Sequence, residues 1–388
     1  MLTQEQNDLL TQTGPGTPCG KLLRSYWQPI ATSEEMPIGG APMPIKIMSE
    51  ELVLFRDEQN RLGLIGRHCA HRGTDLSYGR VENGGLRCLY HGWLFDIHGK
   101  CLEMPAEKNG GKAMCDRIKH VGYPVQEKGG AIWTYMGEGE PPLIPDFEFL
   151  STPEPNRLTF RVIQTCNWLQ GLESSTDPVH TTFLHRRPPG TASERSGADV
   201  AAIRGNDVPE VSTEQTGYGT RIFALHNAPN GRKYLRVNNY VFPAGATPST
   251  SYGESGYQGR LYVPIDDYSH VRFEFFYDAK GLDKERLRKN RAANVGPDLR
   301  HVRRPENRYL QDRTREHLGS SDIVITAVRR ALFKALEQVQ AGKEPPGVLR
   351  DRAANPFADF VCTSGYIEDG ETGPSFCRRY LSAKAAAE

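Results

Sequence analysis

Apolar and polar residues alternate along several short segments in the first third of the chain. Residues 44–69, PIKIMSEELVLFRDEQNRLGLIGRHC, show this alternation between turn residues, and residues 129–137, GGAIWTYMG, form another such run. A two-residue period puts the apolar side chains on one face of a β-strand. The pattern therefore predicts an all-β domain over residues 41–147. It ends in the Pro-rich, acidic stretch GEGEPPLIPDF at 137–147.

Residues 1–40 have a different pattern of apolar and polar positions. They contain a helical pattern at 3–12, a Gly/Pro turn, and the aromatic segment LLRSYWQPI at 22–30. We expect this N-terminal helical segment to pack on the second domain.

The second domain is expected over residues 148–388 and mixes strands with helices. Four longer alternating segments predict strands at 217–227, 233–243, 259–267 and 270–278. A helix is expected between Asn167 and residue 185, interrupted or restarted at Pro178. The clearest helix lies at 320–342, with Ser320 and Ser321 as candidate caps and Gly342 just past its end. Its apolar stripe, at three- and four-residue steps, consists of Val324, Val328, Leu332, Leu336 and Val339.

These patterns together predict an α+β chain, in which an N-terminal all-β domain precedes an antiparallel sheet flanked by helices. A basic and polar stretch at 284–315 is expected to be a surface excursion.

Composition narrows the function classes. The 388 residues include 48 basic and 47 acidic ones, so the net charge of +1 gives no bulk field that favours nucleic acid or an anionic membrane. No window approaches the ~20 apolar residues of a membrane span, and the N-terminus lacks the pattern of a secretory signal. We therefore expect a cytoplasmic enzyme or carrier, with its eight cysteines reduced and any Cys/His cluster used for metal.

Such a cluster lies at residues 69–93, CAHRGTDLSYGRVENGGLRCLYHGW. Cys69 and His71 are followed, after sixteen residues, by Cys88 and His91. Zinc modules usually pair cysteine with cysteine and histidine with histidine, whereas each segment here supplies one of each. That order suits a Rieske [2Fe–2S] cluster, in which two thiolates hold one iron and two imidazoles hold the other. A structural zinc site is the alternative.

The residues between the ligands indicate the class of cluster. High-potential centres add a cysteine to each loop and a serine that donates to a sulfide, but Ala70, Leu89 and Trp93 stand here instead. Fewer hydrogen bonds to sulfur lower the potential, which suits electrons from a nicotinamide-linked reductase.

A second site is expected in residues 167–185, NWLQGLESSTDPVHTTFLH. Its histidines, His180 and His185, can form with one carboxylate a facial triad that leaves positions on an iron open. Residues five apart on a straight helix point about 140° away from each other. The helix must therefore end, bulge or bend between the two histidines if both bind one metal.

The third ligand must come from elsewhere in the chain. The carboxylates considered downstream are Asp312, Glu316, Asp322, Asp351 and Asp359. Asp322 is favoured because it opens the most apolar helix, which we expect to lie in the core, and because a helix N-terminus stabilises a carboxylate; helix capping is the alternative. Asp177, three residues before His180, is expected to hydrogen-bond imidazole and couple the two sites, with a simple helix-start role as the alternative.

At this point the chain resembles the Rieske non-haem iron oxygenases, specifically single-subunit oxygenases similar to phthalate dioxygenase and the O- and N-dealkylating monooxygenases. The segments that carry the resemblance are CAHRG and CLYHGW, NWLQGLE and DPVHTTFLH, and EHLGSSDIVI. The resemblance implies the [2Fe–2S] cluster on Cys69, His71, Cys88 and His91, a mononuclear Fe(II) on His180, His185 and Asp322, and Asp177 as the bridge between them. It also implies a head-to-tail homotrimer, in which His71 or His91 of one subunit lies near Asp177 of the next.

The function that follows is hydroxylation of a small aromatic compound with O2, by monooxygenation that includes O- or N-dealkylation. Electrons would come from an NADH-dependent reductase, directly or through a ferredoxin. A cis-dihydroxylating dioxygenase of an aromatic carboxylate is the alternative, for which Arg204, Arg221 and Arg236 are candidate carboxylate binders. A Rieske electron carrier without oxygenase activity is a more remote alternative.

Overall fold

The computed structural model describes residues 1–184, 208–228, 231–249, 257–293, 309–355 and 357–387. The helices of these residues are α1 (Gln4–Thr11), α2 (Pro18–Arg24), α3 (Lys112–Cys115), α4 (Glu148–Ser151), α5 (Trp168–Thr176), α6 (His180–Phe183), α7 (Lys284–Ala293), α8 (Ile323–Gln340) and α9 (Gly373–Ala387). None of them is both long enough and apolar enough to cross a membrane.

Nineteen strands form four sheets within the same residues. The strands before residue 140 are β1 (Gln28–Thr32), β2 (Met43–Ile47), β3 (Glu50–Arg56), β4 (Leu62–Gly66), β5 (Arg80–Glu82), β6 (Gly85–Arg87), β7 (Leu94–Phe95), β8 (Cys101–Glu103), β9 (Gly122–Tyr123), β10 (Val125–Lys128) and β11 (Ala131–Thr134). The later strands are β12 (Arg157–Gln164), β13 (Glu210–Gln215), β14 (Gly219–Asn227), β15 (Lys233–Val241), β16 (Gly245–Thr247), β17 (Gln258–Asp266), β18 (Ser269–Tyr277) and β19 (Thr363–Tyr366).

The first domain contains three small antiparallel sheets. Their strand orders are β1-β11-β10, β2-β3-β4-β9 and β5-β6-β7-β8. One Cys/His segment connects β4 of the second sheet to β5 of the third, and the other connects β6 to β7 within the third sheet. The expected all-β domain is confirmed.

The N-terminal boundary needs a correction. We expected residues 1–40 to be a helical segment outside the β-domain, but Gln28–Thr32 pairs antiparallel with Ala131–Thr134. The reason is that the aromatic segment continues into an extended run whose five residues are all buried. The α-helices of residues 1–40 are α1 and α2, and this part of the chain contacts the second domain. The side-chain amide of Asn167 donates to Thr11 O at 3.0 Å, and Thr13 N donates to Asp267 Oδ1 at 2.8 Å.

The second domain is built on one eight-stranded antiparallel sheet, in the order β12-β18-β17-β16-β15-β14-β13, with β19 paired to β15. Each of the four strands expected from alternation is present. Helix α5 lies across the β17–β18 part of this sheet, where a Cβ on Gly171 would meet Tyr262 and His270. Helix α9 covers the other face, with Phe376 in a buried cluster beside Phe223 and Val237.

The apolar stripe expected on the last long helix is confirmed for its first four members. Val324, Val328, Leu332 and Leu336 are each 0–1% exposed, and α8 ends before Gly342, which has a φ of +69°. The expected caps differ, because Ser320 and Ser321 form a 3-10 turn with Asp322 and Asp322 itself precedes the first residue of α8.

Two further expectations about this half of the chain are corrected. The stretch at 284–315 is not wholly a surface excursion, since the side chain of Arg313 is fully buried. The first turn of α8 is also more open than expected, because Ile323 is 43% exposed while its neighbour Val324 is 1% exposed. The apolar stripe of α8 therefore reaches the core at Val324, two residues after Asp322.

Candidate metal centres

The two Cys/His segments fold into loops with the same hydrogen-bond pattern. In the first, Cys69 N donates to Thr74 O at 2.8 Å and Gly73 N donates to Cys69 O at 2.9 Å. In the second, Cys88 N donates to Trp93 O at 2.8 Å and Gly92 N donates to Cys88 O at 3.1 Å. Each loop therefore turns tightly around its cysteine.

The glycine four residues after each cysteine makes these turns possible. Gly73 has a φ of +72° and Gly92 a φ of +76°, values that side chains with a Cβ rarely adopt. A Cβ on Gly92 would in addition lie 2.7 Å from Pro105 Cγ, whereas a Cβ on Gly73 would meet nothing within 4 Å. The second loop is thus held by packing as well as by its backbone conformation.

The loops bring the two ligand pairs together. The Cys69 and Cys88 side chains contact each other, and the rings of His71 and His91 have centroids 4.6 Å apart. His71 is also stacked on Trp93, at 4.7 Å and 9°. Both cysteines are buried, at 3% and 2% exposed, while His71 is exposed and His91 half-buried. The thiols therefore face inward and the imidazoles face the surface.

The thiol of Cys69 carries its proton before any metal binds. Burial raises the pKa of the Cys69 thiol to about 11, although the backbone N–H of His71 donates to the same sulfur and lowers it. The thiol is therefore neutral at pH 7, and metal binding must displace its proton. None of the eight cysteines forms a disulfide bond, so both thiols can act as ligands.

Arg87 holds the second loop in place through its guanidinium group. Its guanidinium donates to Gly92 O at 2.6 Å and to Glu103 Oε2 at 2.8 Å, and it also pairs with Glu82. The loop carbonyl is thereby tied to β5 and β8, the outer strands of the same sheet. The donor set, two inward thiols and two outward imidazoles on braced loops, fits a two-iron cluster.

The second candidate centre lies where α5 ends. Asn167 caps this helix, because its Oδ1 accepts from Leu169 N at 3.1 Å. Asp177 ends it in an extended conformation, and its Oδ1 accepts from Val179 N at 2.8 Å. Pro178 follows, and a new short helix begins at His180. The expected interruption at Pro178 is confirmed.

This break brings Asp177 and His180 together. Nδ1 of His180 lies 3.4 Å from Oδ2 of Asp177, and the two side chains are 23% and 28% exposed. His185 lies outside the described residues, so the expected irregularity between the two histidines stays a prediction. The break in the described residues comes before His180.

The candidate third ligands differ in their surroundings. Asp351 and Asp359 are exposed, and Glu316 is held by Arg329 at 2.7 Å. Asp312 and Asp322 are half-buried. Asp312 Oδ1 accepts from Thr314 N at 3.0 Å, and Asp322 Oδ2 accepts from Gly319 N at 2.8 Å.

No three His, Cys, Asp or Glu side chains converge as ligands of a single metal ion among the residues whose positions the structure gives. A two-iron cluster does not require such convergence, because each iron takes one pair of protein ligands. The mononuclear site would need His185, which lies outside those residues.

The three arginines proposed as carboxylate binders differ in where they lie. Arg204 lies outside the described residues. Arg221 pairs with Glu214 at 2.6 Å and with Asp359 at 3.4 Å, and Phe223, two residues along β14, faces α9. Arg236 is 4% exposed and lies on the opposite face, which carries α5.

The face of Arg236 follows from strand register. Arg260 contacts Ser175 of α5 at 3.1 Å and pairs with Ala246, which pairs with Tyr240. Directly paired residues share a face of an antiparallel sheet, and so do residues two apart on one strand. Arg236 and Asn238 therefore share the face of Tyr240 and Arg260.

Sequence reasoning missed a buried ion network beside this centre. Glu173 of α5 contacts both Arg313 and Arg329, at 2.8 Å and 2.7 Å. The only sequence hint was the position of Glu173 one helical turn before Asp177, since its partners are 140 and 156 residues away.

Both halves of the chain match known protein families. A family model described as "Rieske [2Fe-2S] domain" matches residues 26–129, and one described as "LigXa C-terminal domain like" matches residues 134–315. The chain is 34% identical to the oxygenase subunit of 5,5'-dehydrodivanillate O-demethylase from Sphingobium sp. (strain NBRC 103272 / SYK-6), over 92% of this chain and 85% of that protein. It is 33% identical to the oxygenase subunit of phthalate 4,5-dioxygenase from Pseudomonas putida, over 89% of each.

The fold has solved counterparts. One is the terminal oxygenase of carbazole 1,9a-dioxygenase from Nocardioides aromaticivorans IC177, with a TM-score of 0.63 and 18% identity, over 85% of this chain and 96% of that one.

Proposed function

The chain belongs to the Rieske non-haem iron oxygenases, as an oxygenase subunit, and we propose that it hydroxylates a small aromatic compound by monooxygenation, including O- or N-dealkylation. The observation that carries this proposal is the combination of two braced Cys/His loops in one domain with the Asp177–His180 pair in the other. An electron carrier would need only the first. The second gives the chain a place to bind O2 and substrate.

The family uses a [2Fe–2S] cluster and a mononuclear non-haem iron, which together supply electrons one at a time and activate O2. We assign Cys69 and Cys88 to one iron of the cluster and His71 and His91 to the other. The inward thiols and outward imidazoles support this assignment. We assign His180, His185 and Asp322 to the mononuclear iron.

The assignment of Asp322 is supported by elimination among the five carboxylates. Two are exposed, and Glu316 is neutralised by Arg329. Of the two that remain, Asp322 lies at the start of α8, whose Arg329 contacts α5 directly. Asp312 is the alternative.

Asp177 is proposed to connect the two centres without binding iron. Its carboxylate lies on the Nδ1 side of His180, so it favours the tautomer with a proton on Nδ1 and leaves Nε2 as the ligand atom. The remaining carboxylate capacity can accept a proton or hydrogen bond from a second imidazole.

That second imidazole is proposed to come from another copy of the chain. His71 is exposed and its ring contacts that of His91. The two residues before His91, Leu89 and Tyr90, are 49% and 58% exposed. Such an apolar rim around an imidazole edge suits a protein interface. A head-to-tail trimer would bring this edge to Asp177 of the neighbour, because a heterologous interface can close into a ring.

The aromatic class of substrate is supported by a cleft with a mainly apolar and aromatic lining. Its lining includes Trp27, Trp133 and Phe149, and it reaches Arg260 and Tyr262. Both of these side chains contact Ser175, two residues before Asp177.

Buried Arg236 favours a second candidate, cis-dihydroxylation of an aromatic carboxylate. Its guanidinium lies on the sheet face that carries α5, where a substrate carboxylate could pair with it. Arg221 is a weaker candidate because it lies on the opposite face of the sheet, which carries α9.

The electron donor is proposed to be an NADH-dependent reductase, acting directly or through a ferredoxin. We further propose a cytoplasmic location, which is supported by eight cysteines that form no disulfide bond.

The test is product analysis of the reconstituted protein with NADH and a surrogate reductase. The panel contains aryl methyl ethers, N-alkyl anilides and phthalate-type diacids. Formaldehyde with a phenol or aniline product supports dealkylation, and a cis-diol supports the second candidate. Reduction of the cluster with no product and no O2 uptake from any panel member would contradict both.

A further inference from the structure

Glu173 lies in a buried cluster of charged side chains beside the second centre, which we call the charge cage. Its carboxylate is 7% exposed and accepts from Arg313 at 2.8 Å and from Arg329 at 2.7 Å. The two guanidinium groups are themselves 0% and 5% exposed. Burial raises the pKa of Glu173, but the charges of the two arginines outweigh it and hold the pKa below its ordinary value. Glu173 is therefore ionised at neutral pH.

The cage continues to two other segments. Arg329 binds Glu316 through both of its terminal nitrogens, at 2.7 and 3.1 Å. Arg313 also donates to Asn7 Oδ1 at 3.3 Å. Two carboxylates thus balance two guanidinium groups, and four segments are tied together: α1, α5, α8 and the strip at 309–316.

Such a cage fixes the position of its side chains more than it increases the stability of the fold. Taking four charges out of water is costly, and a buried ion pair often stabilises a fold no better than apolar side chains of the same volume. Planar guanidinium groups bind carboxylates in fixed directions. The cage therefore fixes Glu173 along and around the axis of α5.

Glu173 transmits this position directly to the second centre. Its carbonyl oxygen accepts from Asp177 N at 3.1 Å, and Asp177 is the residue that ends α5. From Asp177 the chain reaches His180 within three residues. A rotation or slide of α5 would move the Asp177 carboxylate relative to the His180 ring.

We propose that Glu173 is a positioning residue for the second metal centre: held by Arg313 and Arg329, it fixes the end of α5 so that Asp177 and His180 keep the geometry that metal binding needs. This inference rests on the proposed function, in which His180 is a metal ligand. It adds a role for a residue that touches neither metal nor substrate.

The test measures metal affinity at the second centre, by titrating Co(II) into protein that retains its cluster but lacks the mononuclear iron. The change is Glu173→Gln, which keeps size and removes charge. Its matched control is Glu50→Gln, because Glu50 also accepts from a largely buried arginine, Arg24 at 2.9 Å, and from Tyr123 at 2.7 Å, but lies in the first domain.

We expect Glu173→Gln to weaken Co(II) binding at least about tenfold, as loss of supporting interactions around a metal site does, with the cluster absorption unchanged. Glu50→Gln should bind Co(II) as the wild type does. If Glu173→Gln fails to fold, Arg329→Lys provides the test, because lysine keeps the positive charge and lacks the planar guanidinium group. We then expect Co(II) binding to weaken at least about threefold.

Wild-type Co(II) affinity in Glu173→Gln, or an equal loss in Glu50→Gln, would overturn the inference. His180→Ala separates this failure from failure of the proposed function. If the wild type binds Co(II) and His180→Ala does not, the proposed function stands whatever Glu173→Gln does. If wild type and His180→Ala bind alike, the proposed function itself fails.

Discussion

Nδ1 of His180 lies 3.4 Å from Oδ2 of Asp177, across the break between two short helices. Asp177 ends one helix and His180 begins the next, with Pro178 between them. Because proline cannot donate a backbone hydrogen bond, the chain turns at this point, and the turn brings the carboxylate back towards the imidazole.

Replacing Asp177 with Asn tests the role of this contact. The amide keeps the volume and loses the charge that stabilises a protonated or metal-bound imidazole. We expect Asp177→Asn to retain both metals and the cluster spectrum, and to reduce product formation by about 100-fold. Iron content and product yield are measured on the same preparation. Loss of the mononuclear iron alone would instead make Asp177 a ligand.

The two loop glycines offer a matched pair of variants. An alanine at either position must adopt a positive φ, at a cost of about 1–2 kcal/mol. At Gly92 its Cβ would also meet Pro105 at 2.7 Å, while at Gly73 it would meet nothing within 4 Å. We therefore expect the cluster absorption to bleach faster on heating in Gly92→Ala than in Gly73→Ala. Equal or reversed rates would show that Pro105 does not restrain the second loop.

Asp322 and Asp312 can be separated by iron content. Both are half-buried and both accept a backbone hydrogen bond, so capping predicts similar behaviour for the two alanine variants. As a ligand, Asp322 is expected to take about one iron per chain with it when removed, while Asp312→Ala keeps full iron. The opposite result would transfer the assignment to Asp312.

The charge cage predicts a specific acid sensitivity. The pKa of Glu173 is lowered from 4.5 in the folded protein. Its ionised form therefore contributes stability that is fully present above about pH 4.5 and is lost as pH falls through the lower, folded-state pKa. Glutamine cannot titrate. Between about pH 5 and about pH 3, we expect the melting temperature of Glu173→Gln to fall less than that of the wild type. Parallel curves would mean that the folded and unfolded pKa values are alike.

The sequence predicted most where the chemistry is local. Cys69 and His71, and Cys88 and His91, are close along the chain, so their order alone indicated two loops and one cluster. Alternation likewise predicted the long strands, because burial of one sheet face imposes a two-residue period.

Long-range partners were beyond sequence reasoning. Arg313 lies in a basic stretch typical of a solvated surface, yet it is buried against Glu173, 140 residues earlier. Asp322 shows the limit of periodicity. The apolar stripe of α8 is buried as expected, but a stripe does not report how far the core extends past the helix end, where Ile323 is 43% exposed.

We propose that one chain holds two separate iron centres, and the most direct test is the iron and acid-labile sulfide content of the wild type and His180→Ala. We predict about three irons and two sulfides per chain for the wild type, and about two irons and two sulfides for His180→Ala. A single zinc without sulfide would contradict the cluster. Equal iron in the two proteins would contradict the second centre.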